Sequence, residues 1–218
     1  MGRGYIRASD LPQVIPVFPL SGAIVLPRGQ LPLHIFEPRY LNMVDDAMAG
    51  DRIIGMIQPA GGPENLPALS ATGCAGRITS YAETADGRYL ITLTGICRFR
   101  MAGELPVQTP YRQARADFTP FALDLEPPGD ADDFERGELL AALRDYLNPR
   151  GLDIDWDAAR EAPPEALVNS LAMALPFEPP EKQALVEALT LADRLDSLTA
   201  LLRIDAAEPG DDDPATMQ

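Results

Sequence analysis

The sequence predicts an α+β protein, β-rich in its amino-terminal half and helical in its carboxy-terminal half. Three observations predict it. Up to residue 116 the apolar residues come in short runs with strand-like alternation, punctuated by turn signals such as Asp86-Gly87. Beyond residue 120 leucines recur at helical spacing. The charge changes at the same place: residues 1–116 hold 9 acidic and 11 basic side chains, a net of +2, whereas residues 117–218 hold 24 and 7, a net of −17.

Residues 14–41 read VIPVFPLSGAIVLPRGQLPLHIFEPRYL. Two short apolar runs broken by prolines precede a strand-like LPLHIFE, in which Leu31, Leu33 and Ile35 share one face and His34 and Phe36 the other. Proline is tolerated at the first position of a helix, so a helix starts at Pro38 with Glu37 as its N-cap. That helix carries Tyr40, Leu41, Val44, Ala47 and Met48 at helical spacing and stops at Gly50. Further strands are expected over 51–58 and 73–78, then a long hairpin turning at Asp86-Gly87 and running through Arg100, then a last strand over 111–116.

The Pro-Pro-Gly turn at 127–129, set among acids, marks a junction. After it, Leu139, Leu140, Leu143 and Leu147 form one stripe, Leu167, Leu171 and Leu175 a second, and Leu191, Leu195, Leu198 and Leu202 a third. Such stripes are core faces of packed helices. The expected organisation is a β-rich subdomain over 1–120, a helical subdomain over 121–206 and an acidic, solvated tail over 207–218.

The run from Val14 to Leu41 resembles the opening signature of the Lon protease amino-terminal, substrate-recognition domain. The resemblance continues through Asp51 to Gln58, Gly73 to Ile78, Asp86 to Arg100, and Glu104-Leu105-Pro106 with Tyr111 to Ala116. Leu171 to Pro176 and Glu181 to Glu187 are similar to the helical end of stand-alone bacterial members. The resemblance implies a PUA-like pseudo-barrel followed by a helical bundle, and a module that binds unfolded or hydrophobic protein segments. A separate protease is the partner to which such an adaptor would deliver clients.

Lon proteases join this domain to an ATPase and to a Ser-Lys peptidase, and both need a lysine in a defined setting. This chain has one, Lys182, in Pro179-Pro180-Glu181-Lys182-Gln183, read as the first turn of a polar-faced helix. No glycine-rich phosphate loop precedes it, and no nearby serine has the context of an activated nucleophile. The chain is therefore expected to be non-catalytic and to need no cofactor.

No apolar stretch reaches spanning length and the first residues do not form a signal peptide, so a cytoplasmic location is expected. Cys74 and Cys97 lie in strand-like runs and read as small buried residues. Asp153, Asp155 and Asp157 alternate like the start of a calcium loop, but Ala158 and Pro164 stand where its glycine and glutamate belong. Capping of a helix over Trp156 to Arg160 by Asp155 or Asp153 fits better. His34 is the sole histidine and, with two separated cysteines, makes no zinc set.

Two places are candidates for partner binding. One is the strand-to-helix corner with His34, Phe36, Glu37 and Arg39, where an apolar ring rimmed by charge could meet an extended polypeptide. Its structural counterpart is a fastened corner, with Glu37 capping the helix and Arg39 tying it to a neighbouring element. The other is the arginine-bearing face of the β half, where Arg98 and Arg100 alternate with Cys97, Phe99 and Met101 and so should both point outward. Arginines there could meet phosphates, and the implied fold also occurs in RNA-binding proteins. The net charge of the helical half opposes nucleic acid, and no stacked aromatic array is visible.

Overall fold

The structure, a computed structural model, describes residues 5–63, 66–128 and 134–207. It is α+β, with six strands and six α-helices among those residues. The strands are β1 (Val14–Pro19), β2 (Gln30–Ile35), β3 (Ile53–Ile57), β4 (Thr72–Glu83), β5 (Tyr89–Glu104) and β6 (Arg112–Asp117). The helices are α1 (Pro38–Ala49), α2 (Arg136–Leu147), α3 (Trp156–Glu161), α4 (Pro164–Ala174), α5 (Pro179–Glu187) and α6 (Leu191–Ala207). By contact they form two compact units, one of residues up to 128 with 169–187, the other of 134–168 with 188–207.

In the first unit the sheet order is β2-β5-β4-β3-β1-β6, and β6 pairs again with β5. The ring from β5 through β4, β3, β1 and β6 back to β5 is therefore closed, which removes the free edges of those strands. Among the described residues only the β1–β3 pairing is parallel. The length of β5 makes both halves of the unit: residues 97–104 belong to the barrel, and residues 89–94 form an arm with β2 and the end of β4.

Phe99 fills the barrel. It is fully buried among Ile15, Val17, Ile53, Ala75, Cys97 and Ala114, a burial that contributes about 1.5–3 kcal/mol. Gly55 and Gly73 make the room: a Cβ on either would lie within 3.0 Å of the Phe99 ring. A second cluster lies under α1, whose Tyr40, Met43, Val44 and Ala47 pack on Phe18, Ile54, Ile78, Ile91 and Leu93. Met43 is a deeper anchor than Leu41 or Met48, which are only partly buried. Two hydroxyls fasten the helix further, Tyr89 to Asp45 at 3.0 Å and Tyr111 to Asp46 at 2.6 Å. Burial, with the Asp46 carboxylate adding to it, pushes the Tyr111 hydroxyl up to about 12.

The cysteines are both free and buried, as expected. The register explains why they do not meet: Cys74 pairs with Arg98 and Ala75 with Cys97, so the two thiols sit in different core clusters.

The helical stretch 169–187 belongs by contact with the sheet, whereas the sequence pattern placed it with the other helices beyond 120. Single polar side chains dock it. Asn169 Nδ2 donates to Pro27 O at 3.1 Å, Gln58 Nε2 to Pro179 O at 2.9 Å, and Gln183 Nε2 to Thr72 O at 3.0 Å. Hydrophobic periodicity carries no trace of such bonds.

Lys182 is also inside this unit, 2% exposed, where the sequence pattern suggests a polar face. Its Nζ donates to Ala172 O at 2.9 Å and Met173 O at 2.7 Å, carbonyls at the end of α4 that lack helical partners. Burial pushes the ammonium down to about 8. The unfolded chain then binds the proton more tightly, so this group makes stability rise with pH between about 8 and 10.5. Since the chain has one lysine, ¹⁵N-lysine labelling gives a single side-chain signal, expected to titrate near pH 8.

In the second unit α2 and α6 pack through Leu139, Leu143 and Leu147 and through Leu195, Leu198 and Leu202, all buried. Asp155 caps α3, accepting from Asp157 N at 3.1 Å and Ala158 N at 2.9 Å. Asp153 accepts from the Trp156 indole at 2.8 Å. Of the two acids the sequence offers as caps, Asp155 is the one that serves, while Asp153 holds the Trp156 ring. The acidic stretch 208–218 lies outside the described residues.

Candidate functional site

The arm of β2, β5 and β4 presents one face to α1 and the other to solvent. Strand alternation sorts the residues: Ile35, Ile91 and Leu93 point to the core, while His34, Phe36 and Leu90 point away. Phe36 is 58% exposed and Leu90 47% exposed. The β2–β5 register pairs His34 with Leu90 and Pro32 with Thr92, and β5–β4 pairs Leu90 with Ala82. A continuous outer row thus runs from Phe36 through His34 and Leu90 to Ala82. It is flanked by Thr79 and Thr94, whose hydroxyls bond at 2.8 Å. The row borders β2, which pairs on one side only, with β5. Pro32 stands in that edge strand, the place in a sheet where a missing N–H costs least.

At the corner itself the rings of His34 and Phe36 meet edge-on at 6.0 Å, and the Arg88 guanidinium lies 6.0 Å from the Phe36 ring. Glu37 occupies the N-cap position of α1 but makes no capping bond, which corrects the expected role. Its carboxylate takes Arg39 Nε at 2.9 Å and the Arg39 terminal nitrogen at 2.8 Å. Arg39 lies over the Tyr40 ring at 4.5 Å and ties α1 to no other element through these contacts. Both partners are about half exposed, so the pair contributes at most about 1 kcal/mol.

The arginine face does not form. Arg98 points away from the barrel but is only 3% exposed, because the 3-10 segment Thr119–Leu125 and α5 cover that side of β5. Its Nε and terminal nitrogen grip Asp124 at 2.9 and 2.8 Å, a third donor reaches Val186 O at 3.1 Å, and the guanidinium lies on the Phe121 ring. Arg100 remains exposed, opposite Asp117. Arg88 pairs with Asp86, and Arg112 pairs with Glu104, holding that carboxyl below its usual range. Among the described residues no three His, Cys, Asp or Glu side chains are placed to hold a metal.

This architecture can be set against known proteins. The family model of the ATP-dependent protease La (LON) substrate-binding domain matches residues 14–203. The chain belongs to this family. It is 32% identical over 117 residues to Lon protease 2 of Myxococcus xanthus, which is 52% of this chain and 14% of that protein. To the Lon protease of Roseiflexus castenholzii it is 29% identical over 201 residues, 88% of this chain and 24% of that one. The chain thus spans a quarter or less of the relatives it matches. Among solved structures, the Lon N-terminal domain protein from Xanthomonas campestris matches with TM-score 0.60 at 23% identity, over 86% of this chain and 97% of that one. The N terminal domain of Mycobacterium avium complex Lon protease matches with TM-score 0.62 at 18% identity, over 87% and 97%. These likenesses establish the fold.

The Lon match places the chain in a substrate-recognition, non-catalytic domain family. Of the six residues picked from sequence, His34, Phe36, Glu37 and Arg39 come together at one corner, while Arg98 is buried elsewhere and Arg100 stands apart from it. Leu90 was missed, although Leu90-Thr92-Thr94 alternating with Ile91 and Leu93 already marks it as the apolar member of an outward face.

Proposed function

We propose that this chain is a non-catalytic protein-binding module that takes unfolded or hydrophobic polypeptide segments on the outer face of the β2–β5–β4 arm. The observation that carries the reading is the exposed pair Phe36 and Leu90 beside an edge strand. An extended segment can lay main chain along β2 while its apolar side chains cover Phe36 and Leu90. Affinity is modest, since ordering a flexible client costs entropy. Membership of a Lon substrate-binding family supports the client class, and delivery to a separate protease, as an adaptor, completes the proposal.

We propose a cytoplasmic location, which the free, buried cysteines suit. No helix among the described residues is long and apolar enough to cross a membrane. The RNA reading loses part of its support, because Arg98, Arg88 and Arg112 pair with carboxylates, although Arg100 stays exposed.

Titrating a fluorescein-labelled, permanently unfolded polypeptide with the protein tests this by anisotropy, without nucleotide. Saturable binding that persists at high salt is expected, weakened about tenfold or more by Phe36→Asp or Leu90→Asp with little change in stability, since both side chains are exposed. Equal affinity of both variants and the parent contradicts the assignment.

A further inference from the structure

We propose that the open groove between the amino-terminal segment and the turn from α1 to β3 binds a carboxylate flanked by an apolar group. The C-terminus of a polypeptide presents this chemistry, as does an acidic side chain beside an aliphatic one. The groove is lined by Tyr5, Ile6, Asp10, Asp51, Arg52 and Arg77.

Its two arginines are neighbours by construction. The β3–β4 register pairs Ile53 with Arg77, and Ile78 N donates to Arg52 O at 2.8 Å. Among the described residues neither guanidinium has a hydrogen bond or an ion pair, whereas Arg28, Arg39, Arg88, Arg98 and Arg112 are all engaged. Neither nearby acid pairs with them: Asp10 keeps its charge but turns one carboxylate oxygen to the backbone N–H groups of Ile6 and Arg7, at 3.0 and 2.9 Å, and exposed Asp51 makes no ion pair with either arginine.

The backbone adds an independent observation. Arg52 has φ +62°, a left-handed conformation that favours glycine. The turn needs the Arg52 N–H, which donates to Ala47 O at 2.9 Å, and glycine would supply the same donor without the steric cost. The turn therefore does not require the arginine side chain, and the groove into which it is set gives it a use. Two guanidinium forks match a carboxylate, and Ile6, 78% exposed, with the half-buried Tyr5 ring supplies an apolar wall beside them. The groove shares no residue with the outer row of Phe36 and Leu90, so it does not depend on the client-binding reading.

Three fluorescein-labelled peptides test it on the full chain: one ending in leucine with a free carboxylate, its C-terminal amide, and an amide with glutamate before the leucine. Both acids are expected to bind about tenfold or more tightly than the plain amide, as charge-assisted hydrogen bonds imply. The tighter of the two acids identifies the source. Arg52→Gly is expected to erase the preference while the thermal midpoint holds or rises, and Arg77→Gln to reduce it. Phe36→Asp should leave the preference intact, which separates this site from the arm. Equal affinity for acid and amide, or a preference that survives Arg52→Gly, overturns the proposal.

Discussion

Replacing Asp124 with alanine lowers the free energy of unfolding by about 3–5 kcal/mol, the usual consequence of leaving a buried charge without its partner. The carboxylate is the chief counter-charge of Arg98, which is 3% exposed. It accepts from the side chain twice and from the Arg98 backbone N–H at 2.9 Å, so one truncation takes an ionised acceptor from three donors. The bond to Val186 O and the stacking on Phe121 supply no counter-charge in its place. Exchanging both partners for apolar residues, Arg98→Met with Asp124→Leu, should recover most of the stability, because the pair is costly to break and cheap to replace. Urea denaturation of the two single variants and the double variant measures the coupling. A loss below about 1 kcal/mol for Asp124→Ala would show that the pair is hydrated.

Gly95→Ala is the second substitution with a large effect. The added Cβ would sit 2.0 Å from Leu26 O and 2.7 Å from its carbonyl carbon. These are backbone atoms, so no side chain can swing aside. The contact is tight because the segment around Leu26 is clamped to β5 there: Arg28 N donates to Gly95 O and Gly95 N to Gly29 O, each at 2.8 Å. Moving the segment breaks both bonds and uncovers Ile24, Val25 and Leu26, all buried. The expected loss exceeds about 3 kcal/mol, in the range reserved for steric and core failures. The same change at Gly137, which faces open space in α2, should instead gain up to about 1 kcal/mol through helix propensity. Thermal unfolding of the two variants side by side reads the contrast.

The outline of the fold was legible because it follows from periodicity. Leu31, Leu33 and Ile35 alternate against His34 and Phe36, and the structure keeps that division. The helix after Pro38 and its stop at Gly50 follow from proline and glycine, and Asp155 caps α3 through its short side chain.

What escaped the sequence is set by contacts between distant segments. Alternation puts Arg98 outward, and it is outward from the barrel, but residues 119–125 and α5 cover that side. Lys182 reads as solvated until the end of α4 supplies two carbonyls at its ammonium. Glu37 lost its capping role to the closer attraction of Arg39. Nothing in the residues around Arg52 announces a left-handed backbone, which only the turn from α1 into β3 imposes. The corner was visible as a set of residues, whereas its extension to Leu90 needed the β2–β5 register.

Hydrogen exchange of the backbone amides, with and without a permanently unfolded client, tests the central claim most directly. The account predicts slowed exchange in β2 over 30–35, together with residues 36–37 at the Phe36 corner, at client concentrations that saturate binding. Saturable binding with unchanged exchange along β2 and at that corner would contradict it.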